Sequence, residues 1–410
     1  MTAAPRILKS VRLAWLEGIR GFAVILILLY HSQLLFTDYA FTPKPTGLSD
    51  NLEQLRMASD YLGAGFHAWL SIPGWFGFQF VDVFVLISGF SLALSLQTKP
   101  LPPIAFLKQR LMRLLRPFWT VAWLAYPILW LIGTLTNSYS PDAWHSFAGI
   151  TFPLSTDYRG SLLLPTSGSW WFMPLIFSFT LLFPWLWKLL HRWGLYNLLL
   201  ASTLLTLAYR LLAVYCLGGH PTYVLIDTPA AEQPFQLFLA KLSTFVLSMT
   251  VAHRYCQGKG PLFWSQPQAF VVGLVLYSLG FVGQFSRLGW VVAELLLPLG
   301  LTLLCMVVTR LLCKWSPLQH FMRWLGGHSY SYFLIHNFVV DRTLNLVVRG
   351  ELELYYQLLP VMVLVTLALA VLADRLKPLL KRSSVTLIRH IDNYFSRSES
   401  SHLASKTSDF

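Results

Sequence analysis

Charge is scarce in this chain. Charged residues make up 12% of its 410 positions and hydrophobic residues 55%. A soluble chain carries about 25% charged residues, so an ordinary soluble domain is excluded. Cysteine is scarce too. The four copies, Cys216, Cys256, Cys305 and Cys313, fall in or beside apolar segments, with neither metal-ligand spacing nor a disulfide framework. They read as inert buried thiols, and no metal is expected. A polar linker dividing the first 380 residues is missing, as is a solenoid repeat. The chain therefore reads as one polytopic membrane domain over 1–382. A Ser- and charge-rich cytoplasmic tail over 383–410 reads as partly disordered. Acidic residues are few as well: 18 against 31 Lys and Arg, a net charge of +13. The basic residues cluster in particular loops, so the excess reads as a membrane signal, and no nucleic-acid partner is expected.

Apolar runs are abundant. A membrane helix needs about 20 mainly apolar residues. Ten stretches qualify: 15–36, 76–97, 117–136, 170–190, 195–217, 235–256, 268–285, 289–312, 329–348 and 356–376. The ninth is the most polar, with Ser329, Ser331, His336, Asn337, Asp341 and Arg342. Arg6, Lys9 and Arg12 before the first stretch resemble a signal peptide. No small-residue cleavage site follows, and Arg20 interrupts the apolar run, so it reads as an uncleaved helix. With the N-terminus in the cytoplasm, most Lys and Arg fall on the inner side. The outer loops hold only Lys44, Arg56, Arg159, Arg287, Arg342 and Arg349. The expected fold is all-α, a bundle of about ten spans with both termini cytoplasmic.

Ionisable residues inside such spans are costly and need a reason. In the first, Arg20 and His31 are eleven residues apart, which puts them within about 20° of one helix face, His31 about 16 Å farther out. Glu17 lies one turn below Arg20 and can pair with it. In the second, Asp82 lies near the depth of His31, and Ser88-Gly89 lies near mid-membrane, where Ser-Gly is also a close-packing device. Arg110, Arg113 and Arg116 recur every third residue and read as a ribbon on one side of a helix. That ribbon suits either anionic lipid headgroups or a polyphosphate ligand, since guanidinium pairs bidentately with phosphate.

The ordered stretches Leu16-Glu17-Gly18-Ile19-Arg20-Gly21 with Tyr30-His31, Phe80-Val81-Asp82-Val83-Phe84 through Ser88-Gly89-Phe90, Arg110 with Arg113, and Leu325-Gly326 through Ser329-Tyr330 to His336 resemble acyltransferase family 3, the membrane O-acyltransferases that modify surface polysaccharides. The resemblance covers roughly 13–376. It departs at Ser169-Trp170-Trp171-Phe172, which lacks a following acid, and at Val81, which replaces a small residue. It implies transfer of an acyl group, often acetyl in that family, from cytoplasmic acyl-CoA to a hydroxyl of a sugar or lipid-linked glycan at the outer face of a bacterial inner membrane. Acyl-CoA, the glycan acceptor and membrane lipid are the implied partners. His31 is then the general base, with Asp82 orienting it. An acyl-His or acyl-Ser88 intermediate stays open. Arg20, Arg110, Arg113 and Arg116 are the implied binders of the coenzyme. A multi-span transporter of a sugar or organic anion is the alternative, but transporters often carry an internal repeat of spans, and none is evident.

The topology also puts Arg210, Lys241 and Glu294 in the same outer layer as Asp82 and His31. Together with His336 they are expected to bind the acceptor, in a vestibule open to the outside.

Overall fold

A computed structural model of the chain describes residues 14–37, 44–63, 77–98, 102–137, 170, 172–216 and 237–378. Arg6, Lys9, Arg12, Lys99, Trp171 and the tail 383–410 lie outside the described residues. Among those described, all regular structure is helical. The helices are α1 (Ala14–Phe36), α2 (Leu48–Tyr61), α3 (Phe80–Thr98), α4 (Pro103–Thr136), α5 (Phe172–Trp193), α6 (Leu195–Tyr215), α7 (Leu237–Cys256), α8 (Gln266–Gly283), α9 (Arg287–Leu312) and α10 (Ser316–Thr343). The last, α11, spans Leu352–Pro378.

Seven of these, α1, α3, α4, α6, α8, α9 and α11, are long and apolar enough to cross a membrane. The chain is thus a multi-pass membrane protein. Helices α5, α7 and α10 stand at the other three expected places. Two of them are visibly more polar than a simple span: α7 carries Lys241, His253 and Arg254, and α10 begins with a polar turn and ends with Asp341 and Arg342.

Two boundaries differ from expectation in an instructive way. The third stretch is read from sequence as 117–136, but α4 begins at Pro103 and runs unbroken through Pro117 and Pro127. Its 34 residues reach about 51 Å, well beyond the roughly 30 Å hydrocarbon core. The arginine segment is therefore the overhanging first part of a spanning helix. At the other boundary, α10 passes into a π-helical turn over Leu344–Val348 and stops at Arg349 and Gly350, both with positive φ (50° and 84°). The left-handed pair ends the helix and turns the chain into α11.

Helices α1 and α10 form the centre. They run in the same direction and touch closely where glycines remove side chains. A Cβ at Gly21 would meet the Leu325 side chain at 2.8 Å, and one at Gly326 would strike the Glu17 backbone. Small residues allow such backbone approach between membrane helices. Ten residues further along each helix, His31 faces His336. The 3-10 turn Gly77–Gln79, which leads into α3, presses Gly77 onto Leu26 and Tyr30 of α1. On the opposite side of α3, Gly89 lies against Phe245 and Ser248 of α7. The Ser88-Gly89 pair thus serves close packing at its glycine, while Ser88 is half-buried.

Candidate active site

Three polar layers are built on this frame. The first is at the end of α1 that carries Arg20. Arg20 Nη1 donates to Glu17 Oε1 at 3.0 Å and Oε2 at 3.2 Å, and Nη2 donates to Ser91 Oγ of α3 at 3.2 Å. Arg110 of α4 lies within electrostatic reach of Arg20, Arg113 and Tyr330. Tyr330 in turn donates to the Leu114 carbonyl at 3.0 Å and touches Met173 Sδ at 3.1 Å, tying α10 to α4 and α5. Arg110 is half-buried with its Nε enclosed, while Arg113 and Arg116 are exposed. The three do not present one common side, because a step of three residues turns a helix by about 300°, or 60° back, each time. Arg116 is about 120° away from Arg110. The site therefore gathers Arg20, Arg110 and Arg113 and leaves Arg116 at the periphery.

The second layer is the histidine pair. His31 Nδ1 lies 2.9 Å from His336 Nε2, with ring centroids 5.0 Å apart. His336 Nδ1 is 2.6 Å from the Phe333 carbonyl. A carbonyl only accepts, so His336 Nδ1 carries the hydrogen. In a neutral ring its Nε2 is then an acceptor, and His31 Nδ1 must donate to it. This assignment leaves the lone pair of His31 on Nε2. His336 is fully buried and His31 half-buried. Around them, Trp170 donates to the Leu334 carbonyl at 2.9 Å and packs edge-on against Phe338, fixing the α10 backbone beside the pair. Ser32 on α1 shares a 3.2 Å hydrogen bond with Tyr355 of α11.

The third layer is a four-member ionic chain. Asp82 of α3 forms an ion pair with Lys241 of α7, Oδ1 to Nζ at 2.7 Å. Lys241 also pairs with Glu294 of α9, which pairs with Arg210 of α6. Arg210 completes its coordination on α9 itself, through Nε to the Val291 carbonyl at 2.8 Å and Nη2 to the Trp290 carbonyl at 2.6 Å. Residue exposure is 1% for Arg210, 5% for Lys241, and 7% for both Asp82 and Glu294. Two cations meet two anions with hardly any water, so the group is neutral and closed.

These contacts revise the roles read from sequence. Asp82 is bound to Lys241, and the polar partner of the His31 ring is His336. The reason is geometric: α3 enters beside α1 through its glycine turn, which aims Asp82 away toward α7. His336, expected among the acceptor-binding groups, sits behind His31. Arg210, Lys241 and Glu294 do come together as expected, but around Asp82 and without His31, and their charges answer one another in place of a vestibule. Sequence reasoning missed Asp374 altogether. It accepts from Ser331 at 2.5 Å and pairs with His328 and Lys377, joining α10 to α11. A lone acid inside the stretch 356–376 is the signal that could have found it.

No curated protein and no solved structure matches the chain. One family model does: the acyltransferase domain of the acyltransferase 3 family, over residues 13–375. That match takes in α1 with its arginine and histidine, α3, the α4 arginines and the whole of α10, and it ends within α11. The chain belongs to the acyltransferase 3 family and is a membrane acyltransferase.

Proposed function

We propose that the chain is an O-acyltransferase that moves a short acyl group, acetyl by family resemblance, from acyl-CoA to a hydroxyl of a sugar or lipid-linked glycan. The single observation behind this reading is the His31–His336 pair, with its tautomers set by the Phe333 carbonyl. A neutral imidazole with its lone pair on Nε2 is suited to general-base work. The acceptor hydroxyl loses its proton to His31 Nε2 as its oxygen attacks the thioester carbonyl. The C–S bond then breaks, and the proton passes to the departing thiolate. While His31 carries the extra proton, the 2.9 Å contact to His336 Nε2 stabilises it, the role a carboxylate plays in a hydrolase triad. No acyl-Ser88 is needed.

In this reading the donor binds at the opposite end of α1. Coenzyme A is polyanionic, and Arg20, Arg110 and Arg113 outnumber Glu17, the acid beside them among the described residues. Arg20 is some 16 Å along α1 from His31, so a ligand with phosphates at the arginines must be extended to bring its thioester to the histidine. In this reading all ten helical stretches cross the bacterial inner membrane with both termini cytoplasmic, and the acceptor arrives at the His31 side. The test is thioester consumption by the purified full-length protein with acetyl-CoA and a glycan acceptor. His31→Ala should lower turnover by about 10²–10⁴ with folding intact. A folded His31→Ala protein with wild-type turnover would remove His31 as the base.

A further inference from the structure

Between the arginine layer and the histidine pair, α3 presents one distinctive face. Phe84, Ser88 and Ser91 are half-buried there and Ser95 is exposed, whereas Asp82 and Gly89 are buried. At about 100° per residue the first four share an arc of about 60°. Asp82 and Gly89 are turned about 140–160° away from Phe84, toward Lys241 and Ser248 of α7. Ser91 shows where the other face looks, since its hydroxyl accepts the 3.2 Å hydrogen bond from Arg20 of α1. The accessible face of α3 therefore starts beside the arginines, at Ser95 and Ser91, and ends toward the histidines on the ring of Phe84.

Three aromatic rings meet at that end. Phe84 lies 6.1 Å from Phe333 of α10 and 6.3 Å from Phe172 of α5, and those two are 5.3 Å apart, centroid to centroid. Phe333 is in turn 5.5 Å from His336. Phe172 and Phe333 are 6% and 3% exposed, so half-buried Phe84 is the member of the triangle with accessible surface. A donor whose phosphates rest at Arg20 and whose thioester reaches His31 brings its acyl group beside these rings. An acetyl group ends one methyl beyond the carbonyl. A longer chain has to enter the volume that the Phe84 ring fills.

We propose that Phe84 sets the length of acyl group this enzyme accepts, its ring excluding donors with longer chains. The proposal rests on the acyl-CoA reading above and adds the residue that selects among acyl-CoAs. Packed interiors do not stretch to admit extra methylenes, so a ring at the end of the donor's path discriminates by size. Truncating Phe84 opens apolar volume against Phe172 and Phe333, the kind of surface a hydrocarbon chain prefers to water. Phe84 acts on the tail of the donor and not on its phosphates, so the affinity for a short-chain donor is set elsewhere, at the arginines.

The test is calorimetric titration of the purified full-length protein with two unreactive ketone analogues of the donor, acetonyl-CoA and its homologue with a pentyl group in place of the terminal methyl. No acceptor is required. Wild-type protein should bind acetonyl-CoA more tightly than the homologue by about tenfold or more, the discrimination an apolar pocket achieves by size. Phe84→Ala should bring the two affinities together by about tenfold while holding that for acetonyl-CoA within about twofold. Phe84→Leu, which keeps a branched apolar side chain in the packing, should fall between. Arg110→Ala should weaken both analogues alike and leave their ratio unchanged. Equal binding of the two analogues by wild-type protein would overturn the proposal and leave the donor reading standing. So would an unchanged ratio in folded Phe84→Leu or Phe84→Ala. Wild-type protein that binds neither analogue, nor coenzyme A itself, would overturn the donor reading and the role of Phe84 with it.

Discussion

Two of the ionisable clusters inside this bundle are opposites. The chain Asp82–Lys241–Glu294–Arg210 joins four helices, is almost wholly buried and sums to zero charge. The cluster Arg20–Arg110–Arg113 joins α1 to α4, is partly exposed, and among the described residues sets Glu17 against three cations. Both contain residues that are expensive in hydrocarbon. The first discharges that cost internally and has no charge left over for a ligand. The second has charge left over. In a membrane protein, then, an ionisable residue in a span is a weaker guide to a binding site than an uncompensated one.

The strongest way to break this comparison is to remove one member of the closed network. Glu294→Ala leaves Arg210 and Lys241 with Asp82 alone, and should destabilise the protein by about 3–5 kcal/mol, as breaking buried pairs does. Thermal unfolding in detergent measures this. A variant that unfolds like wild type but loses acceptor affinity would return the network to the acceptor site. Gly326→Leu comes next. It drives a side chain into the Glu17 backbone and should cost about 1–3 kcal/mol of stability, with Arg20 and His31 shifted together in a drop of turnover. Arg110→Ala should weaken coenzyme A binding by about 1–3 kcal/mol in a salt-dependent manner, with unfolding close to wild type, which calorimetric titration at two salt concentrations resolves. Arg110→Lys should recover only part, for lack of the planar fork. The smallest effect belongs to Arg116→Ala. It faces about 120° away from Arg110, and its removal should change coenzyme A affinity by less than about 0.5 kcal/mol. A loss equal to that of Arg110→Ala would restore the three-arginine ribbon.

Much of the fold was legible because its signal is one-dimensional. Apolar length located helices at all ten expected places, and 20° of helical phase put Arg20 and His31 on one face of α1. Arg110 and Arg113 were legible from their spacing, but Arg116 was placed too close, because a three-residue period drifts around the helix. What stayed hidden depends on how helices meet. Nothing in the local sequence says that Gly77 lays the start of α3 on Tyr30 and so points Asp82 at Lys241. The same depth argument that grouped Asp82, Lys241, Glu294 and Arg210 also swept in His31, since depth does not record azimuth. His336 was visible as the last residue of its motif, but its position behind His31 follows from Gly21 and Gly326, which let α1 and α10 approach in register.

The account rests on His31 and His336 acting as one unit, and a double-mutant cycle on turnover tests that directly. His31→Ala should lower kcat by about 10²–10⁴, the range of general-base catalysis. His336→Ala should lower it by a smaller factor, with coenzyme A affinity retained, because it acts only by orienting and stabilising the His31 ring. The double variant should be no slower than His31→Ala alone, since the second histidine has nothing left to support. If the two losses instead multiply in folded protein, the histidines work independently, and the pair is not the centre of the reaction.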